Sequence, residues 1–214
     1  MKIINAGYEF ITPIDGNIIL QKIEQAGRVC YKSEDKITED SAIKFAQNII
    51  NRGHEAVLEH CYFTVKFIVD RGISHEIVRH RVASYCQEST RYCNYSKDKF
   101  SNEITVIKPC FWREDEEENK EYVKLAIWKR SMAEAESAYF ELLKMGATPQ
   151  EARSVLPNSL KTEVVMTANI REWRHFFELR TSSAAHPQMR EVVIPLLKEC
   201  KEKIPVLFDD IEVL

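Results

Sequence analysis

The densest run of chemically capable side chains is RHRVASYCQESTRY, residues 79–92. It carries Arg79, His80, Arg81 and Arg91 together with Tyr85, Gln87, Glu88, Ser89 and Thr90, and offers little that could serve as apolar core. Hydroxyls, backbone N–H groups and fork-shaped guanidinium donors at that density suit an anion such as a phosphate. Further polar runs lie elsewhere: GHEAVLEH at 53–60, EARSVLP at 151–157 with Arg153, and NIREWRHFFELR at 169–180. Arg79, Arg81, Arg91, Arg153 and Arg180 make five candidate anion contacts, and the sequence alone does not show them converging.

GHEAVLEH superficially offers metal-ligating chemistry. A zinc hydrolase helix needs H-E-x-x-H, with both histidines on one face. Here position 58 is leucine and the next histidine, His60, stands six residues after His54, roughly 600° around a helix and on its far side. No metal site is expected. The segment reads as a polar turn between a helix and a strand, with His54 and Glu59 able to meet a flat aromatic cofactor.

The elements that must position these groups are legible from periodicity. KIINAGYEFIT opens as a strand. Helices follow over roughly 16–29 and 40–52, the second stopped at Gly53. YFTVKFIVD, 62–70, alternates Phe63, Val65, Phe67 and Val69 against Thr64, Lys66 and Ile68, the mark of a half-buried strand. SHEIVRHR is expected as a short helix capped by Ser74, which places His75 with Arg79 and Glu76 with His80 on neighbouring faces. EITVI, 103–107, is a short strand. The acidic run from 113 to 124 reads as the first turns of a long amphipathic helix that ends at Gly146. TPQE at 148–151 is a helix start with Thr148 capping, proline first and Glu151 third. KTEVVMTAN, 161–169, reads as a strand, 171–180 as a helix, and 186–204 as a second helix containing Pro195. Strands and helices mix without regular βαβ alternation. The expected class is α+β, a mixed or antiparallel sheet with flanking helices and a long central helix, in one domain over 1–214.

On a wheel of about 100° per residue, Trp173, Phe176, Phe177 and Leu179 share one arc, with Arg171, Arg174, His175 and Glu178 opposite. Arg180 falls on the aromatic arc. An unpaired guanidinium there is costly. Two readings follow: a terminal residue that snorkels to water or meets a structural carboxylate, or a buried cation that takes a ligand.

Four of these stretches agree in order and spacing with one family. RHR followed by seven residues and Ser89 resembles the signature of the flavin-dependent thymidylate synthases. GHEAVLEH is similar to that family's G-H-x-x-x-x-E-H turn, EARSVLP to its A-R-x-x-L-P segment, and NIREWRHFFELR to its N-x-R-x-x-x-x-F-x-x-L-R helix. The resemblance spans residues 53–190. It implies a homotetramer of α+β subunits with active sites shared between subunits. It also implies tightly bound FAD and methylation of dUMP to dTMP, with 5,10-methylenetetrahydrofolate as carbon donor and NADPH as the source of reducing equivalents.

Residue by residue, the resemblance assigns Arg79, His80 and Arg81 to flavin, with Arg79 also reaching the nucleotide. Gln87, Glu88, Ser89, Thr90 and Arg91 match the dUMP loop, with Gln87 at flavin as well. Glu76 and Arg153 match further nucleotide positions. His54, Ala56, Glu59, Asn169, Arg171 and His175 match flavin positions. Arg180 matches the catalytic arginine that binds the uracil and favours its activated anion. Ser89 reads as a ligand, since no adjacent base would make it a nucleophile. Two departures stand out: Glu76 replaces a glutamine common in relatives, and TSSAAHPQ runs one residue longer than the family's pattern, so His186 is not carried over. Cys110, in KPCFW, is read as a packing cysteine.

Composition sets the limits. The 214 residues carry a net charge of −3, which argues against a nucleic-acid coat protein but leaves room for a local basic pocket. No apolar run approaches the roughly 20 residues of a membrane span, and no leader is visible, so no membrane partner and a cytoplasmic location are expected. Six scattered cysteines without a C-x-x-C pair suit buried packing in a reducing compartment. Two other readings stay open: a nucleic-acid module using RHR and STRY, and a flavoprotein oxidoreductase without a transfer step. The dinucleotide fingerprint G-x-G-x-x-G is absent, so flavin would be held by other means.

Overall fold

The computed structural model describes residues 1–112 and 120–213. The chain is α+β. Its strands are β1 (Lys2–Ile4), β2 (Gly7–Phe10), β3 (Tyr62–Asp70), β4 (Ala83–Gln87), β5 (Thr105–Ile107) and β6 (Lys161–Asn169). Its helices are α1 (Gly16–Val29), α2 (Ser41–Asn51), α3 (Arg71–Ile77), α4 (Lys120–Lys144), α5 (Pro149–Ala152), α6 (Ile170–Thr181), α7 (Pro187–Lys203) and α8 (Pro205–Phe208). One sheet has the order β2-β3-β6-β4, and β1 pairs separately with β5. The β1–β5 pair is parallel, while Val106 bridges Leu160 in the antiparallel sense.

Alternation gives the two long strands. In β3, Phe63, Val65, Phe67 and Val69 are buried; in β6, Thr162, Val164, Met166 and Ala168 are. Polar residues with a period of two leave one face of each strand for a core and the other for partial exposure. Thr64 and Thr167 meet across that second face, 2.9 Å between hydroxyls, a typical cross-strand pair.

The chain divides into two compact units. The first holds residues 1–7, 67–79 and 86–164. Its core gathers Trp128, Met132 and Tyr139 of α4 with Tyr95, Val106 and Leu160. Trp128 Nε1 donates to Ser159 Oγ at 3.0 Å, which satisfies the indole's polar atom. The start of the chain is tied down by its own charge: the Met1 ammonium pairs with Glu103 at 3.2 Å and Glu136 at 3.0 Å. Helix α4 stops where expected, at Gly146, whose φ of 93° a side-chain-bearing residue resists. The Glu151 carboxylate accepts from both the Thr148 N–H and its hydroxyl at 2.7 Å, so α5 begins as the sequence predicts.

The second unit holds residues 8–66, 80–85 and 165–214. Its centre is aromatic. Trp173 stacks on Phe63 with 4.6 Å between ring centroids and 3° between planes, and donates its indole N–H to the Phe63 carbonyl. Helices α1 and α2 are joined by a buried carboxylate. Glu24 accepts from Arg28 through one oxygen, at 2.7 and 3.0 Å, and from the Ser41 hydroxyl through the other, at 2.7 Å. A buried charge is tolerable only when its lone pairs are filled in this way.

Several sequence expectations are corrected. The opening strand is broken into β1 and β2, which belong to different sheets. The helix expected from Ser74 instead starts at Arg71, because Asp70 takes the Ile73 N–H at 2.8 Å and acts as the cap. Ser74 lies inside that helix and turns its hydroxyl back to the Arg71 carbonyl. The helix ends at Ile77, so residues 79–81 are not helical and the face pairings proposed for His75 and Glu76 do not form on one helix. The strand predicted at 103 begins at 105, since the Ile104 N–H goes to Glu136. Residues 113–119 of the acidic run lie outside the described residues, and α4 is described from Lys120. Only Cys61 and Cys200 are buried; Cys30, Cys86 and the supposed packing residue Cys110 are exposed.

Candidate functional site

Helix α6 builds the chemistry of the second unit. Asn169, at the end of β6, caps it by accepting the Glu172 N–H at 2.8 Å, so the first turn is fixed where the strand ends. The wheel reading holds for Trp173, Phe176 and Phe177, all fully buried. It fails at Leu179, which is half exposed, and at Arg174, which is buried rather than on a wet face. Arg174 is held by the Leu207 carbonyl and, through both terminal nitrogens, by Asp210 at 2.7 and 2.6 Å. The Arg174 hydrogen bond holds the Asp210 carboxyl below its ordinary value.

Arg180 is partly buried, and its Nε donates to His80 Nε2 at 3.1 Å. His80 is itself buried, and its Nδ1 lies 3.0 Å from Glu172 Oε1. A neutral imidazole has one donor and one acceptor nitrogen. Since Arg180 can only donate, Nε2 is the acceptor and Nδ1 carries the proton toward Glu172. Burial pushes the His80 pKa down, the Arg180 charge adds to that, and the Glu172 hydrogen bond opposes it. Tyr85 closes the group by donating to the His80 carbonyl at 2.7 Å, and burial raises its phenol to about 12.

Beside this group is a cleft of about 360 Å³ lined by Glu59, Asn169, Arg171 and His175, with Glu55, Val82, Glu172, Arg174 and Glu178 completing it. A second hollow of about 420 Å³, more apolar, is lined by His54, Ala56 and Arg171 among others. Glu55 and Arg171 belong to both. Arg171 is gripped there: Nη1 donates to Glu59 at 2.6 Å and Nε stands 3.3 Å from Glu55, and the Glu59 bond leads in raising its pKa. Six of the positions expected at flavin therefore line one pair of hollows in one unit. The donor set suits a flavin dinucleotide: Arg171, His54 and His175 offer N–H groups to a pyrophosphate, the carboxylates offer acceptors to ribityl and amino groups, and the second hollow offers apolar walls for rings.

Of the remaining flavin candidates, His80 is committed to Glu172 and Arg180, while Arg81 is exposed in the same unit. Arg79 and Gln87 belong to the first unit. Gln87 donates to Ser74 at 3.0 Å and to Thr162 at 3.4 Å.

The nucleotide candidates other than Arg180 all belong to the first unit. Glu88, just past β4, accepts from Tyr95 at 3.1 Å and Lys161 at 2.9 Å. Burial works against the Lys161 charge, but Glu163 and Glu88 outweigh it and the pKa is raised. Glu88 is thus a structural anchor for the loop that follows. Ser89 starts a turn in which its hydroxyl accepts the Arg91 N–H at 3.3 Å and its carbonyl accepts the N–H groups of Tyr92 and Cys93. Thr90 is buried, whereas Arg79, Arg91 and Arg153 are exposed and Glu76 is half-buried. Arg91 lies over the Tyr92 ring, 5.3 Å from its centroid.

Sequence reasoning passed over Glu172, Tyr85, Glu55 and the Arg174–Asp210 pair. Glu172 did carry a signal: it is the third helical residue after the Asn169 cap, where an acidic residue is favoured. The Arg174 partner, 36 positions on, left no periodic trace.

Comparison with known proteins identifies the family. A sequence model described as thymidylate synthase complementing protein matches residues 19–206. A flavin-dependent thymidylate synthase of Corynebacterium aurimucosum is 36% identical over 203 residues, covering 89% of this chain and 79% of the relative. The enzyme of the same name from Pyrococcus abyssi is 36% identical over 191 residues, covering 86% and 75%, and that of Geobacter sulfurreducens 32% over 192 residues, covering 86% and 78%. With residues 19–206 matched by the family model and relatives 32–36% identical over most of the chain, the protein is a member of the thymidylate synthase complementing protein family.

Proposed function

We propose that the chain is an FAD-dependent thymidylate synthase. It converts dUMP to dTMP by reductive methylation, with 5,10-methylenetetrahydrofolate giving the one-carbon unit and NADPH the reducing equivalents. The observation that carries this is the gathering of His54, Ala56, Glu59, Asn169, Arg171 and His175 around two hollows that share Arg171. FAD, when bound, supplies hydride chemistry that no side chain offers.

The residues of the chain bind and polarise. Arg171, His175 and His54 would meet the pyrophosphate side of the cofactor, with Asn169, Ala56 and Glu59 beside it, and Arg81 and Gln87 as further contacts. Arg91, Ser89 and Thr90 would hold the dUMP phosphate, with Arg79, Arg153, Gln87 and Glu76 as neighbouring nucleotide contacts and Glu88 bracing the loop. Arg180 is the catalytic residue: a planar cation placed against the pyrimidine stabilises the negative charge that C5 must carry to become nucleophilic. Ser89 acts as a ligand, because its hydroxyl already accepts a backbone N–H and has no general base beside it. The whole of 1–214 is read as one synthase domain, four copies of which assemble with shared sites. No nucleic acid partner is invoked for a chain of net charge −3. Among the described residues no helix is long and apolar enough to cross a membrane.

The visible absorption spectrum of purified protein tests the reading. A flavin band that NADPH bleaches anaerobically, at a rate or with a shape that dUMP alters, is expected. A band indifferent to dUMP would favour a plain flavoprotein oxidoreductase. A colourless protein that takes up neither FAD nor dUMP would overturn the assignment.

A further inference from the structure

The catalytic role proposed for Arg180 leaves open what holds its guanidinium in place. The flexible three-carbon stem of arginine allows many rotamers, and fixing one costs entropy that a well-placed partner offsets. At Nε that partner is an uncharged ring nitrogen, His80 Nε2, at 3.1 Å. An imidazole can accept at Nε2 only while its proton sits on Nδ1. The 3.0 Å contact from Nδ1 to Glu172 Oε1 secures that tautomer, and the Asn169 cap fixes the backbone of Glu172 itself.

We propose that Glu172 is a positioning residue of the synthase reaction: through His80 it fixes the tautomer that orients Arg180 toward the substrate. The proposal rests on the synthase reading above. A carboxylate in place of the imidazole at Nε would also orient Arg180, but would offset more of the charge needed at the pyrimidine. Placing the imidazole between them lets Glu172 act on the orientation of Arg180 through a neutral ring rather than through a direct charge pair at Nε.

The arrangement is also sensitive to pH. The groups facing His80 are Glu172, His175 and Arg180 from α6 and Tyr85 from β4. The His175 ring centroid is 5.8 Å away, and the Phe176 ring at 4.8 Å completes a dry wall. Protonating Nε2 would set an N–H against the Arg180 N–H and add a like charge, breaking the orientation. Burial holds the His80 pKa below 6.5, so the orientation persists at neutral pH and is lost only as pH falls through that lowered value. Removing the Glu172 charge, which favours protonation, moves this limb to still lower pH.

The test uses the holoenzyme and three chains: wild type, Glu172→Gln and Glu172→Leu. Glutamine keeps an acceptor for Nδ1–H without the charge; leucine keeps neither. Glu172→Leu is expected to lose roughly 10–100-fold in kcat for dTMP formation, with a far smaller change in KM for dUMP and with flavin still bound. Glu172→Gln is expected to recover most of kcat, but with the acid limb of its pH profile displaced to lower pH. A residue that merely supported the fold would not move that limb. Wild-type kcat and pH profile in Glu172→Leu would overturn the proposal. Independently of turnover, imidazole ¹⁵N shifts of the wild-type protein, with His80 assigned by the loss of its signal in His80→Asn, are expected to show an Nδ1–H, Nε2-accepting ring at pH 7. An Nε2–H or protonated ring would overturn the proposal even if no Glu172 variant folds. Wild-type protein that makes no dTMP from a complete reaction mixture would instead overturn the synthase reading, a separate result from a normal enzyme indifferent to position 172.

Discussion

At the scale of single residues, the chemistry is divided between groups that are spoken for and groups that are offered. Glu88, Gln87 and His80 are engaged with protein partners, whereas Arg79, Arg91 and Arg153 face outward. Arg180→Lys keeps a positive charge but loses the fork that a planar anion requires. It is expected to lower kcat by about 10²–10³-fold while the flavin band remains, as read by steady-state dTMP formation and absorbance on the same sample. Asp210 makes a separate prediction about stability. Its pKa is depressed below 3.8 by Arg174, so its contribution is fully present above the unfolded value and is lost as pH falls through the lower folded one. The thermal midpoint of wild type should therefore decline below about pH 4, and Asp210→Asn, less stable at neutral pH, should show a shallower decline in that window. Much of this scale was legible beforehand. The types and spacing in GHEAVLEH and NIREWRHFFELR marked positions that line the two hollows, whereas Arg79, His80 and Arg81 of RHR line neither. What periodicity could not reveal was satisfaction of buried charge. Arg174 looked wet on a helical wheel, because the wheel knows nothing of Asp210, and Glu172 looked like an ordinary first-turn acid, because the ring it supports lies 92 positions away.

At the scale of elements, the sequence was most informative where a single residue decides a boundary. Gly53 and Gly146 both have positive φ, 65° and 93°, and both stand where the preceding helix was expected to stop. Nothing lies within 4 Å of a Cβ built on Gly53, so the cost of Gly53→Ala is conformational only, about 1 kcal/mol. Gly27 is the contrasting case. A Cβ there would run into the end of the Phe45 ring and crowd Val57, so those side chains must shift. Gly27→Ala should cost more, roughly 1–3 kcal/mol, even though alanine is the better helix former. Thermal unfolding of the two variants side by side checks the ranking; equal losses would contradict the packing argument. The errors at this scale arise where two signals compete within a few residues. Asp70 and Ser74 are both good helix caps, and the earlier one wins because its carboxylate reaches Ile73 while the Ser74 hydroxyl is drawn back to Arg71. The opening strand split because alternation of side chains carries no information about which partner strand each half will find.

At the scale of the whole molecule, class and family were within reach of the sequence, and assembly is a prediction to be checked. A chain of 25.0 kDa that assembles as the proposed homotetramer should elute, and scatter light, as a species of about 100 kDa. A 25 kDa species that still binds flavin and dUMP would remove the shared-site arrangement from the proposal. The cysteines bear on how such experiments are run. Cys30, Cys86 and Cys110 are exposed thiols, so a reductant is needed to keep adventitious cross-links from being counted as assembly.

Arg171 and Glu55 stand in the wall common to both hollows, and Arg171 is held there by Glu55 and Glu59 of the 3₁₀ turn of residues 55–60. A shared wall of this kind links the two chambers. Any occupant of one chamber that draws on this guanidinium changes the field felt in the other, and thermodynamic reciprocity makes the influence equal in both directions. Fragments of a long ligand, offered one to each chamber, will therefore not bind with affinities that multiply; the discrepancy between the product and the joint value measures the charge they share.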